Sequence, residues 1–104
     1  MTADSHTAYP PTFQREQGFS EAEWQRCLPG AVRGNPLDLS QPGQARVQIG
    51  AGQLHMRWQV LPARQLALMR MPRLAVHYQF EAVSADQRIG FMRYFDLYTQ
   101  RGGG

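Results

Sequence analysis

The chain has 104 residues, of which 42% are hydrophobic, and this length suits one domain with a compact core but not two. Its single cysteine, Cys27, excludes an internal disulfide and a cysteine-based metal site. No apolar stretch reaches transmembrane length and the first 17 residues lack a signal-peptide core, so we expect a cytoplasmic protein with no membrane partner.

Positive charge is concentrated in the middle of the sequence. All 11 basic side chains are arginines, and the net charge at pH 7 is +3. Residues 41–80 carry five of these arginines and no acidic residue, whereas residues 1–40 carry three arginines against five acidic residues. Arginine suits the geometry of phosphates and carboxylates, so the block is a candidate polyanion-binding surface, although solvated faces of strands and turns are the preferred interpretation. The candidate residues are Arg46, Arg57, Arg64, Arg70 and Arg73.

The N-terminal part of the chain predicts an arm followed by a short helix. Residues 1–18 include two adjacent prolines and little periodic apolar character, which is typical of a flexible arm. Ser20 and Glu23 have the spacing of a capping box, in which each side chain bonds the backbone N–H of the other residue. We therefore expect a helix over residues 21–28 that ends at Pro29.

Alternation of apolar and polar residues begins at residue 46 and predicts an antiparallel sheet. In the clearest run, Leu54, Met56 and Trp58 alternate with polar residues, as expected for a strand buried on one face. Pro62 interrupts the pattern and separates two strands. The predicted strands are residues 46–51, 54–60, 65–71 and 74–81.

A second capping box, formed by Ser84 and Gln87, predicts a C-terminal helix over residues 85–100. At 100° per residue, Phe91 and Phe95 lie at the centre of its apolar face. This face is expected to cover the apolar side of the sheet.

These elements predict an α+β fold, in which a four-stranded antiparallel meander is packed by the amphipathic C-terminal helix and preceded by a short N-terminal helix. The predicted boundaries are a flexible N-terminal arm over residues 1–18 and a single α+β domain over residues 19–104. Periodicity alone leaves the order of the strands in the sheet open.

No motif in the sequence predicts catalysis or cofactor binding. His55 and His77 fall on the polar faces of the second and fourth predicted strands, roughly 10 Å apart, which is too far to share one metal ion. Neither Ser40 nor Cys27 has the strand-turn-helix context of an activated nucleophile. We expect no metal site and no cofactor, and an enzyme ranks below a binding function.

Large apolar side chains in the third strand and the C-terminal helix exceed what one small core can bury, and surplus methionine and aromatic surface is typical of an interaction site. The surplus comprises Leu66, Leu68, Met69, Met71, Met92, Tyr94 and Leu97. The predicted interface comprises Met69, Met71, Met92, Tyr94 and Leu97. We predict a small non-enzymatic domain that binds a protein partner or a second copy of itself, with binding of nucleic acid or another polyanion as the alternative.

The C-terminal half resembles known sequences. The ends of small uncharacterised bacterial proteins are similar to FMRYFDLYTQRGGG at residues 91–104 and to LALMRMPRL at residues 66–74. This resemblance implies a stand-alone bacterial protein and implies no function. The final glycines are also superficially similar to the diglycine tails of ubiquitin-like and sulfur-carrier proteins. Because they directly follow a predicted helix, Gly102 is better interpreted as a helix C-cap.

Overall fold

The computed structural model describes residues 9–102, which form a five-stranded antiparallel sheet with both helices packed on one of its faces. The elements in chain order are β1 (Thr12–Gln17), α1 (Glu21–Ala31), β2 (Leu37–Asp38), β3 (Gln44–Ile49), β4 (Gly52–Leu66), β5 (Met69–Glu81) and α2 (Ala85–Gly102). The α+β class and the antiparallel sheet are confirmed. The strand number differs, because the sheet has five strands and not four.

The strands lie in the order β1-β5-β4-β3-β2, so the first strand pairs with the last. β1 pairs with β5 along all six of its residues. Phe13 of β1 stacks on Tyr78 of β5, with ring centroids 4.6 Å apart. The prediction of a flexible arm over residues 1–18 is therefore wrong for its second part, which is an edge strand. Residues 1–8 lie outside the described residues.

Both predicted capping boxes are present. The N–H of Glu23 donates to Oγ of Ser20 at 3.2 Å, and the N–H of Ser20 donates to the Glu23 carboxylate at 2.9 Å. Ser84 and Gln87 exchange the same two hydrogen bonds at the start of α2. Each box satisfies backbone donors that have no partner within the helix, so both helices begin where the sequence predicts.

The predicted end of α1 at Pro29 is wrong, because the helix continues to Ala31. Pro29 lacks one backbone donor, but the helix resumes with the N–H of Val32 bonded to the carbonyl of Leu28 at 3.0 Å. A Cβ atom at Gly30 would overlap the ring of Tyr98 on α2. Gly30 therefore allows close packing of the two helices and does not end α1.

β4 and β5 are longer than the sequence pattern indicates. The predicted break at Pro62 is a β-bulge between Leu61 and Arg64, where the strand bends but stays paired. The chain then reverses at Ala67, which has a φ of 53°, and Leu68. Residues 65–71, predicted to be a third strand, are therefore the turn of the β4–β5 hairpin and the strand ends on either side of it.

One hydrophobic core lies between the sheet and the helices. Trp24 of α1, Tyr78 of β5 and Phe95 of α2 are among its largest fully buried side chains. The ring of Phe95 meets those of Trp24 and Tyr78 edge to face, with centroids 6.0 and 6.1 Å apart, which is a favourable aromatic geometry. The other side of the sheet, which we call the open face, carries the alternating polar side chains of β3, β4 and β5.

Candidate functional site

β4 and β5 extend beyond the rest of the sheet as a two-stranded hairpin over residues 61–73, which we call the arm. The pairing of β3 with β4 ends at Arg57, and the pairing of β1 with β5 ends at Leu74. Beyond these positions β4 and β5 pair only with each other. An isolated two-stranded ribbon is marginally stable in water, so a contact that covers the arm would stabilise it.

The arm exposes large apolar side chains near its turn. Leu68 is 98% exposed, Met69 is 63% exposed and Leu66 is 52% exposed. Met71 is also exposed. Because side chains alternate along a strand, Met69 and Met71 project on the same side as the open face, and Leu66 lies directly opposite Met69. We call these four side chains the apolar tip.

Two prolines protect the edges of the arm. The N–H of Trp58 points away from β5 to a residue before β3, and the N–H of Phe80 points away from β4 to a residue before β1. Alternation from these positions places Pro62 and Pro72 where a backbone N–H would point outwards. Proline has no N–H, so each edge lacks one of the outward donors that an added strand would use. The arm is suited to contacts through side chains.

Positive charge surrounds the apolar tip. Arg64 and Arg73 both contact the carboxylate of Glu16 on β1, with N–O distances of 3.3 and 3.2 Å. Nε of Arg73 also donates to the carbonyl oxygen of Pro62 at 2.9 Å. Arg70 forms no ion pair within the described residues. One carboxylate among three guanidinium groups leaves this part of the molecule positive.

On the open face, two arginines each lie directly opposite a histidine of the neighbouring strand. Arg46 of β3 lies directly opposite His55 of β4, and Arg57 of β4 lies directly opposite His77 of β5. The predicted separation of the two histidines by an intervening strand is wrong, because β4 and β5 are neighbours. Each pair places a guanidinium beside an imidazole, and both groups can donate hydrogen bonds to a bound anion.

The surroundings of His55 favour its neutral form. Burial, followed by the positive charges of Arg46 and Arg57, lowers the pKa of His55. Its Nε2 lies 2.7 Å from Oε1 of Gln44. On the same face, a shallow hollow of about 270 Å³ is lined mainly by Gln14, Arg57, Gln59, Ala75 and His77.

The arginines predicted to bind polyanions are divided between the two sides of the sheet. By strand alternation, four of them lie on the side of the open face. Glu16 engages two of these four, Arg64 and Arg73, which leaves Arg46 and Arg57 without an ion pair among the described residues. Arg70 projects on the helix side.

The predicted protein interface is not one surface. Met69 and Met71 belong to the apolar tip, whereas Leu97 is exposed and Tyr94 is half-buried on α2, on the other side of the sheet. Met92 is a wrong prediction, because α2 directs it into the core, where it is fully buried. Among the described residues, the arm combines the largest group of exposed apolar side chains.

The described residues offer few other chemical features. Residues 9–102 contain no group of three histidine, cysteine or acidic side chains arranged to hold a metal ion. Burial raises the pKa of the free thiol of Cys27, which disfavours the nucleophilic thiolate. Neither described helix is both long and apolar enough to cross a membrane. No protein-family model and no curated protein sequence matches the chain, so a function has to be inferred from the arm and the open face.

Proposed function

We propose that the protein is a non-enzymatic interaction domain that inserts the apolar tip of its arm into a cleft on a partner protein. The exposure of Leu66, Leu68, Met69 and Met71 at the end of a projecting hairpin is the observation that carries this proposal. Burial of a large apolar side chain contributes about 1.5–3 kcal/mol. Four such side chains would contribute about 6–12 kcal/mol, which is comparable with the roughly 4–15 kcal/mol cost of lost rotational and translational freedom, so complementary polar contacts have to add to the affinity.

The charge of the arm favours a partner with an acidic rim. Arg64, Arg70 and Arg73 surround the apolar tip, and Glu16 is the acidic side chain that contacts two of them. Acidic groups around an apolar cleft would complement this pattern and increase the rate of association. Two arms brought together would place like charges in contact, and Pro62 and Pro72 oppose pairing of their edges. A different protein is therefore favoured over a second copy.

The test compares an arm variant with a matched variant on α2. The arm variant carries Leu66→Ser, Leu68→Ser and Met69→Ser, and the control carries Leu97→Ser, which removes a leucine about as exposed as Leu66. Wild type and both variants are used as bait in nuclease-treated lysate at high salt. Each retained protein is then purified and its affinity for the three baits is measured.

We expect a partner that binds wild type and the control with equal affinity. The arm variant should bind the same partner at least about tenfold more weakly. Equal binding by all three baits would overturn the assignment of the arm. Sedimentation velocity on the purified chain tests self-association: a dimer lost in the arm variant would identify a second copy of the chain, and not a different protein, as the occupant.

The open face supports a second candidate function, the binding of nucleic acid or another polyanion. The observation in its favour is that Arg46 and Arg57 of the open face form no ion pair among the described residues, and each lies directly opposite a histidine. Affinity for a single-stranded oligonucleotide should fall steeply with salt, because each phosphate contact releases counterions. Arg46→Gln with Arg57→Gln should reduce both the affinity and the salt dependence.

The matched control for this second candidate is Arg93→Gln, which removes one positive charge from the exposed side of α2. Binding that is unaffected by salt, or lost equally in the control, would exclude the open face. Aromatic rings along β4 and β5 point into the core, so contacts to phosphates and not base stacking would supply the affinity.

A further inference from the structure

A pocket of about 230 Å³ lies between the end of α1, the middle of α2 and the end of β3. Its apolar lining includes Val32, Ile49 and Phe91. Ile49 is paired with Gly52 at the start of β4, so the pocket lies at the opposite end of the sheet from the arm. A ligand of this pocket would therefore be independent of any partner of the arm.

Polar groups surround this apolar lining. Cζ of Arg33 lies 4.6 Å from the ring centroid of Tyr94, and both side chains line the pocket. This cation–π contact restrains the guanidinium without neutralising it. Arg33 has no ion pair within the described residues. Amides of Asn35 and Gln87 complete the polar lining.

Close packing against a neighbouring element does not explain why residue 90 of α2 is a glycine. A glycine inside a helix costs about 1 kcal/mol relative to alanine. The usual compensation is a close neighbour, as Tyr98 is for Gly30, but a Cβ atom at Gly90 would have no atom within 4 Å beyond its own stretch of helix. The missing side chain instead leaves the backbone of α2 open where it lines the pocket.

We propose that this pocket binds a small carboxylic acid with an aromatic or branched aliphatic group. The hydrocarbon part contacts Val32, Ile49 and Phe91, and it approaches the helix backbone at Gly90. The carboxylate pairs with the guanidinium of Arg33. A guanidinium can donate two parallel charge-assisted hydrogen bonds to the two oxygens of a carboxylate. The volume is below the roughly 300–1,000 Å³ of most ligand sites, so the acid is smaller than a typical drug molecule.

The experiment is an NMR titration of the full chain, recorded as amide chemical shifts, with benzoate, phenylacetate and isovalerate as probes. The neutral compound phenylacetamide serves as the matched ligand without a charge. Saturable shifts around Val32, Gly90 and Phe91 are expected for at least one of the acids. Phenylacetamide should bind at least about tenfold more weakly than phenylacetate.

Two variants locate the site. Gly90→Leu places a side chain in the open space beside the pocket, and it should abolish the shifts while preserving the spectrum of the folded protein. Arg33→Gln should weaken phenylacetate at least about tenfold but leave phenylacetamide unchanged, whereas Arg93→Gln should change neither. The proposal is overturned if none of the three acids binds, if the acid and the amide bind equally, or if Gly90→Leu leaves the affinity intact.

Discussion

The guanidinium of Arg15 donates two hydrogen bonds to the carboxylate of Asp96, from Nη1 to Oδ1 at 2.7 Å and from Nη2 to Oδ2 at 3.1 Å. The two residues are 81 positions apart, so the contact joins β1 to α2. The hydroxyl of Tyr9 donates to the same carboxylate at 2.7 Å. Burial, followed by the Asp96 carboxylate, raises the pKa of Tyr9 and keeps this donor protonated.

Asp96→Asn should loosen the attachment of β1. The substitution replaces a two-point ion pair between half-buried groups, so we expect a loss of about 1–2 kcal/mol in the free energy of unfolding. Hydrogen exchange should become faster at the amides of β1. Asp86→Asn, which removes a carboxylate from the exposed first turn of α2, is the control and should leave exchange in β1 unchanged. Equal protection of β1 in both variants would contradict the role of Asp96.

Phe95→Ala should be strongly destabilising. The side chain is fully buried among aromatic rings and its removal leaves a cavity, so we expect a loss of about 3–5 kcal/mol in urea denaturation. Leu97→Ala, two residues further along α2 and more than half exposed, should change the unfolding free energy by less than about 0.5 kcal/mol. Similar losses in the two variants would mean that α2 is rotated relative to the sheet.

Gly90→Ala should stabilise the protein by about 0.5–1 kcal/mol, because alanine restricts the unfolded chain and no neighbour obstructs the new methyl group. Gly30→Ala is the matched control in α1. There the methyl group would overlap Tyr98, so no gain is expected. Thermal denaturation of both variants measures the difference, and stabilisation by both would show that Tyr98 moves aside without cost.

Acidification should destabilise the fold through His55. Its pKa is lowered in the folded protein by burial and by Arg46 and Arg57, so the unfolded chain binds the proton more tightly. The contribution of His55 is complete above the unfolded value of about 6.5, and it is lost as the pH falls through the lower folded value. NMR titration should give a pKa below 6.5 that rises in Arg46→Gln. In His55→Gln, the melting temperature should depend less on pH. A His55 pKa above 6.5 would disprove the assignment.

Local signals account for the parts of the fold that the sequence predicts. A capping box involves residues three positions apart, so both helix starts are visible in the sequence. β1 lacks such a signal, because two of the three side chains that it directs inward, Arg15 and Gln17, are polar. Arg15 is satisfied there by Asp96, a partner that periodicity cannot reveal. Deletion of residues 1–17, which the sequence pattern assigns to a flexible arm, removes this strand and should be destabilising.

The surfaces were predictable in composition but not in arrangement. The sequence does contain more large apolar residues than the core buries. Met92, however, is buried, and Leu66 and Leu68 join Met69 and Met71 as the exposed apolar side chains of the arm. Pro62 predicts a strand break, because proline removes a backbone hydrogen bond. In the arm its position faces outward, where no hydrogen bond is lost. Whether Pro62 breaks the strand or lies on its outer edge depends on how β4 pairs with β5, which the local sequence does not reveal.

The pairing of β1 with β5 also determines when the sheet can be completed during synthesis. β1 is the first strand to leave the ribosome, and its partner follows only after every other strand has been made. Until then Phe13 has no ring to stack on and Arg15 has no carboxylate, since Tyr78 and Asp96 are not yet available. The first of these strands to be synthesised therefore has to wait for the last before it can pair.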